Sequence, residues 1–261
     1  MKNILLILLT LTTLHSNNFT SLYRVTFGEH IYLGEVSLSL TINTDKTYTA
    51  TMVAQIKGKL AWLYAKKETQ ISTGVKKEFY IPQTFTKISE TRNEKIVKKV
   101  IYSSKSPISH SQNYTKKDGI FSLEQETTTI LPLKTRGLTL ENDYLSLLFN
   151  LPKLLQNLEN SQLFRASEVG KHDAIIEIMK PSNEKKQGIL NNIGGQQRRN
   201  IQDIAILLIK DKMFNNKQDG EFIYLFDKRA RLQQATLKDV LMLGDIQLER
   251  IVPKATSTLQ D

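Results

Sequence analysis

The chain has 261 residues, 40% of them hydrophobic, and its 36 Lys and Arg outnumber its 26 Asp and Glu to give a formal net charge of +10 at neutral pH. It contains no Cys. That excludes disulfides, thiolate nucleophiles, thiolate metal sites and lipid attachment through an N-terminal Cys, and leaves stability to core burial, for which the length suffices.

Taken in chain order, Met1-Lys2-Asn3 gives a short positive start, Ile4 to Leu14 gives eleven residues of which eight are Leu or Ile, and Ser16 and Asn17 follow. This pattern predicts a signal peptide over 1–16, since a membrane span needs about 20 apolar residues. An uncleaved anchor is the alternative. No second apolar run approaches spanning length. The expectation is therefore a single β-rich periplasmic domain over 17–252 and a frayed tail over 253–261.

The stretch from Tyr23 to Thr73 predicts the opening meander of an antiparallel sheet. Val36, Leu38, Leu40 and Ile42 alternate with Ser37, Ser39 and Thr41, and Asn43-Thr44-Asp45-Lys46 supplies a turn. Tyr48, Ala50, Met52, Ala54 and Ile56 then alternate with Thr47, Thr49, Thr51 and Gln55. Leu60 to Ala65 is continuously apolar and reads as one helical turn before a return to strand. Strands are predicted at Thr84 to Ile88 and Ile96 to Tyr102, separated by Arg92 to Lys95, and a further hairpin runs through Asp118-Gly119 to about Thr129.

The pattern changes at Asn142. Tyr144, Leu147, Leu148, Leu151, Leu154, Leu155 and Leu158 recur at spacings of three and four behind a cap at Asn142 or Asp143, so a helix is predicted over 142–158. Pro152 should make it kink or restart. Strands resume after Gln162, clearest at Ala174 to Met179. The polar stretch from Pro181 to Asn200 reads as mobile loops around a short strand at Gly188 to Ile193. Ile204 to Ile209 reads as a buried strand, with a short helix as the alternative, and strands at Phe222 to Asp227, Leu232 to Leu237 and Asp245 to Ile251 close the chain.

The fold class that follows is mainly β: a curved antiparallel sheet or half-open barrel with one amphipathic helix packed against it, on the border of α+β. An outer-membrane barrel fits less well, because long strands flanked by regular aromatic girdles are missing from the pattern.

Three stretches together resemble the bacterial exported domain-of-unknown-function family 3108. They are Tyr23 to Gly28 with Leu33 to Leu38, the helix opening Asn142 to Leu148, and the closing Phe226 to Arg231 with Leu243 to Leu248. The resemblance spans about residues 23 to 251. It implies a periplasmic protein with a strongly curved antiparallel sheet and a helix against it, and it carries over no catalytic residues. The chain departs from the family at Gly194-Gly195-Gln196-Gln197-Arg198-Arg199, where the family has a hairpin with an aliphatic-Pro-Ala-Gly-like turn.

Catalytic chemistry is thin. The four His lack metal-ligand spacing, and no nucleophile elbow, P-loop or dinucleotide fingerprint is present. Glu124 and Glu126 share one strand face by alternation, a spacing compatible with glycosidase carboxylates, although solvated acids on a wet face are the simpler reading. Enzyme activity is unsupported, and no cofactor or metal is expected. Arg198 and Arg199, with the amides of Gly194 and Gly195, form a candidate anion site.

Trp62 and Tyr64, with Tyr144, Leu148, Leu151 and Leu155, are the candidate lining of a hydrophobic groove between sheet and helix; core packing is the simpler reading of the same residues. Basic doublets such as Lys66-Lys67 and Lys98-Lys99 read first as solvation and edge protection, and otherwise as a rim for anionic headgroups. The expected function is non-enzymatic binding of an amphipathic or lipid-like ligand. The alternative is an envelope scaffold or assembly factor that binds a protein partner. A membrane surface is an admissible neighbour, and nucleic acid is not.

Overall fold

The structure, a computed structural model, describes residues 17–28, 31–58, 61, 66–103, 106–135, 137–167, 174–193, 198–214, 218–238 and 244–252. The predicted signal peptide, the predicted tail and the predicted helical turn at Leu60 to Ala65, except Ala61, lie outside the described residues.

Eight strands come first: β1 (Asn17–Phe27), β2 (Ile31–Ile42), β3 (Thr47–Ile56), β4 (Lys67–Lys76), β5 (Tyr80–Glu90), β6 (Glu94–Ile101), β7 (Ile108–Lys117) and β8 (Ile120–Ile130). Each of β1 to β7 pairs antiparallel with its successor. The second half holds β9 (Lys134–Thr135), β10 (Leu138–Asp143), α1 (Tyr144–Asn157), β11 (Ser161–Ser167), β12 (Ala174–Met179), α2 (Asn183–Asn191), β13 (Ile201–Phe214), β14 (Gln218–Asp227), β15 (Leu232–Leu237) and β16 (Ile246–Ile251).

One sheet of sixteen described strands results, in the order β8 to β1 and then β16 to β9. The two meanders join where β1 pairs antiparallel with β16, so the first and last described strands lie together at the middle. The sheet curls. Helix α1 touches β3, β4 and β5 in one half and β11 and β13 in the other. The sheet is mostly antiparallel, curved and not closed. Its two end strands, β8 and β9, are joined by the short segment 131–133. The buried Arg165 of β11 holds that segment, its Nη1 donating to the carbonyls of Pro132 at 2.7 Å and Leu133 at 3.0 Å.

Alternation sets the first half. Along β2, Val36, Leu38 and Leu40 are buried while Glu35, Ser37 and Ser39 are less so. Gly34 continues the inward series because the chain crosses β3 closely there: a Cβ would sit 2.1 Å from the Gln55 carbonyl oxygen.

Helix α1 starts at a capping box. Asp143 Oδ1 accepts from the Ser146 amide at 2.8 Å, and Ser146 Oγ accepts from the Asp143 amide at 3.0 Å. The helix runs through Pro152 to Asn157 rather than restarting there. The proline costs one backbone bond, and the buried side chains of Leu151 and Leu155 on either side keep the segment seated. Because α1 carries the chain back along the sheet, β10 and β11 pair parallel, the exception to the antiparallel expectation.

The stretch read as loops around a strand at Gly188 to Ile193 is instead largely helical. Ser182 caps α2 by accepting from the Lys185 amide at 3.2 Å, and Glu184 lies in the first turn. Leu190 then packs with Ile204, Ile223 and Leu225. Ala205, Leu207 and Ile209 face the main core, so β13 is buried on both sides. That two-sided burial explains its unbroken apolar run and settles it as a strand.

Candidate functional site

The concave face of the sheet and the first turns of α1 do not meet everywhere. They leave a cavity of about 290 Å³ bounded by Val36, Leu38, Met52 and Phe85 in the first meander and by Phe222 and Leu248 in the second. Tyr144, Leu145 and Leu148 close it from the helix side. Two more cavities adjoin it. One of about 200 Å³ shares Leu38, Leu148 and Leu232 with it and extends to Leu40 and Phe149. The other, of about 290 Å³, shares Val36 and Leu248 and extends to Gly34 and Ile56.

Strand β2 is the floor common to all three. Its inward series from Gly34 to Leu40 passes from one cavity to the next, which makes a trough about 20 Å long. The walls are mostly aliphatic and aromatic, with Arg229 and Arg231 bordering the cavity that reaches Phe149, and Glu35, Lys66 and Glu68 bordering the one that reaches Ile56. Tyr23 donates from its hydroxyl to the Leu232 carbonyl at 3.0 Å, and burial pushes its pKa up to about 12. Burial likewise raises the Tyr224 hydroxyl. Both phenols stay neutral, so the interior of the main cavity is uncharged. Its polar edge lies on β4 and β5, where Gln70 and Lys87 face it. Gln70 Nε2 donates to Glu68 Oε1 at 2.7 Å, and Lys87 Nζ lies 3.4 Å from the same oxygen.

A buried polar network anchors the helix beside the trough. Asp143 Oδ2 accepts from Ser72 Oγ at 2.6 Å, and Ser72 is 3.0 Å from the Tyr48 hydroxyl. Burial raises the Asp143 pKa to about 6, against the opposing pull of its hydrogen bonds. Tyr102 donates to the Asn142 carbonyl at 3.1 Å and also pairs with Ser167.

Of the candidate lining residues, Tyr144 and Leu148 border the main cavity. Leu151 and Leu155 do not; they are 0% and 2% exposed, one and two turns further along the helix, packed into the core. Trp62 and Tyr64 lie outside the described residues. Arg198 donates from Nη2 to Gln187 Oε1 of α2 at 3.2 Å, and both it and Arg199 are exposed, away from the trough. Gly194 and Gly195 lie outside the described residues.

The carboxylates considered for glycoside chemistry part company. The register shifts so that Gln125 faces Asn113 while Leu123 faces Tyr114, which leaves Glu124 opposite no β7 residue and breaks the alternation it would share with Glu126. Glu124 lies 3.6 Å from Lys117, and Glu126 accepts from Gln112 at 2.8 Å. His110 is half-buried and 3.0 Å from Thr128 Oγ1. Among the described residues no group of three His, Cys, Asp or Glu could hold a metal ion.

The residues that sequence reasoning passed over are the strand residues of the lining, Val36, Leu38, Met52 and Phe85 of the first meander as well as Phe222, Tyr224 and Leu248 of the second. Each strand showed its own apolar face. Nothing local said that the sheet would curl until those faces met α1.

No protein-family model matches the chain, and no curated protein matches it. Among solved structures the chain is similar to a crystal structure of a beta-barrel-like protein of domain of unknown function DUF1849 from Brucella abortus, with 9% identity over 89% of this chain and 95% of that one, at a TM-score of 0.46. A likeness of that size carries no argument about what this chain does.

Proposed function

We propose that this is a non-enzymatic protein of the bacterial periplasm, exported by its first 16 residues, that binds an amphipathic, lipid-like ligand in the trough between sheet and helix. The observation that carries the reading is the succession of three mostly apolar cavities that share lining residues along β2. A trough about 20 Å long matches an extended acyl chain better than a compact metabolite, and mostly apolar walls with a few polar and charged groups among them are the usual build of a ligand site. The apolar start of the chain and the resemblance to the bacterial exported family 3108 support export.

The test is uptake of a fluorescent fatty acid by the purified mature protein. Saturable uptake that Ala235→Phe abolishes supports the reading, because Ala235 lines the main cavity and the larger ring fills it. A folded protein that takes up no probe counts against it.

A second reading, a scaffold that binds an envelope protein, draws on β8. It is the last described strand of its half of the sheet, and Ile120, Leu123 and Ile130 on it are exposed. An open apolar edge is suited to adding a partner's strand. Cross-linking in intact cells from a residue placed at Thr128 separates the two readings: a single dominant protein adduct favours the scaffold.

A further inference from the structure

The inward-facing residues of the first meander fall into rows across the strands, and one row leads out of the main cavity. From Leu38 on β2 the residues directly opposite one another are Met52, Gln70, Lys87, Lys98, Ser111 and Thr127. Leu38, Met52, Gln70 and Lys87 line the cavity. Residues directly opposite in a sheet share a face, so Lys98 and Ser111 continue the same concave surface. The row therefore passes from apolar to amide, then to two ammonium groups, then to hydroxyls.

The lysines are the anomaly in that row. Like charges directly opposite one another destabilise a sheet, and a lysine that serves only solubility belongs on the outer face. Glu68, 3.4 Å from Lys87, is the carboxylate at hand, and it is already shared with Gln70. The residues flanking Lys98 on its own face, Ile96 and Val100 along β6 and Ser111 across on β7, are uncharged. Two ammonium groups beside one carboxylate leave a net positive charge at the edge of a cavity whose interior is neutral. Lys87 is partly withdrawn from water, its side chain 24% exposed, so a counter-charge there is screened less than at an open surface.

We propose that Lys87 and Lys98 form the headgroup subsite of the trough, holding the anionic head of a single-chain amphiphile, carboxylate or phosphate, while its tail enters the main cavity past Gln70 and Met52 toward Leu38. Directly opposite side chains have Cβ atoms about 5 Å apart, so both ammonium groups can reach one anion, with the Ser111 hydroxyl beside them. The inference rests on the carrier reading and adds the sign and place of the ligand's charge.

Calorimetric titration of the mature protein with dodecanoate, dodecanol and inorganic phosphate tests it. Wild type should bind dodecanoate about tenfold or more tighter than dodecanol, as a charge-assisted contact gives. Lys98→Met should erase that preference with dodecanol affinity unchanged, and Lys98→Arg should keep it. No preference in wild type, or one that survives in Lys87→Met/Lys98→Met, overturns the subsite while the carrier reading stands. Binding of neither amphiphile overturns both. Phosphate bound as tightly as dodecanoate overturns a lipid source and makes the pair a site for a free anion.

Discussion

Asn150 grips the backbone of Tyr80 with both ends of its amide: Oδ1 accepts from the Tyr80 N–H at 2.8 Å, and Nδ2 donates to the Tyr80 carbonyl at 3.0 Å. A side chain on α1 thus supplies to β5 the pair of bonds that a neighbouring strand would supply. With the Asp143 cap held by Ser72 on β4, the helix is pinned at two points to the wing that forms one wall of the trough.

Asn150→Leu should therefore destabilise the protein by about 2 kcal/mol or more, since it leaves a half-buried N–H and C=O unmet. Urea unfolding measures it. A loss below a few tenths of a kcal/mol would mean that apolar burial alone seats the helix.

Asp143 should make stability fall as pH rises between about 4 and 6. Its folded pKa is raised to about 6, so the native state binds a proton that the unfolded state releases. The contribution is fully present below the ordinary carboxylate value and is lost as pH rises through the folded one. The size is on the order of 3 kcal/mol for a shift of that extent. Other carboxylates titrate too, so the comparison is with Asp143→Asn, whose melting temperature should lack this component.

Asp227 should act with the opposite sign. Burial works to raise its pKa, but hydrogen bonds from the Arg231 side chain and from the Arg231 and Arg229 amides outweigh it and hold it below the usual range. Its contribution is present above that range and is lost as pH falls through the folded pKa. Asp227→Asn should cost about 1–3 kcal/mol at neutral pH and flatten the acid limb of the stability profile, measured by denaturant titration from neutral to acid pH.

Ala235→Phe and Leu151→Ala should separate lining from core. Overpacking a filled interior costs about 1–3 kcal/mol, whereas a ring placed in an empty cavity should cost little and block uptake. Leu151→Ala should cost about 2–5 kcal/mol and leave probe affinity in the folded protein intact. Equal effects of the two on uptake would contradict the division.

Strands such as β2 and β4 were legible because one face is buried and the other less so, as in β2 with Val36, Leu38 and Leu40. The helix was legible for the same reason, with Asp143 as its cap. Four features were not. Gly188 hid α2, because a glycine and a polar run mask a helix whose main anchor on the sheet is Leu190. The short β9 and β10 are set by tertiary contacts, and Arg165 stands at the joint between the end strands, where a lone arginine in a strand gives no local sign of burial. The Lys87 and Lys98 pairing needs the register of β5 against β6, which periodicity within either strand does not supply.

The most direct test of the central claim is mass spectrometry of the mature protein, purified without detergent from the cells that make it, intact and again after solvent extraction. The account predicts a single-chain anionic amphiphile that leaves with the protein at close to one per chain and is absent from Ala235→Phe. A clean protein that also fails to take up added dodecanoate would contradict it.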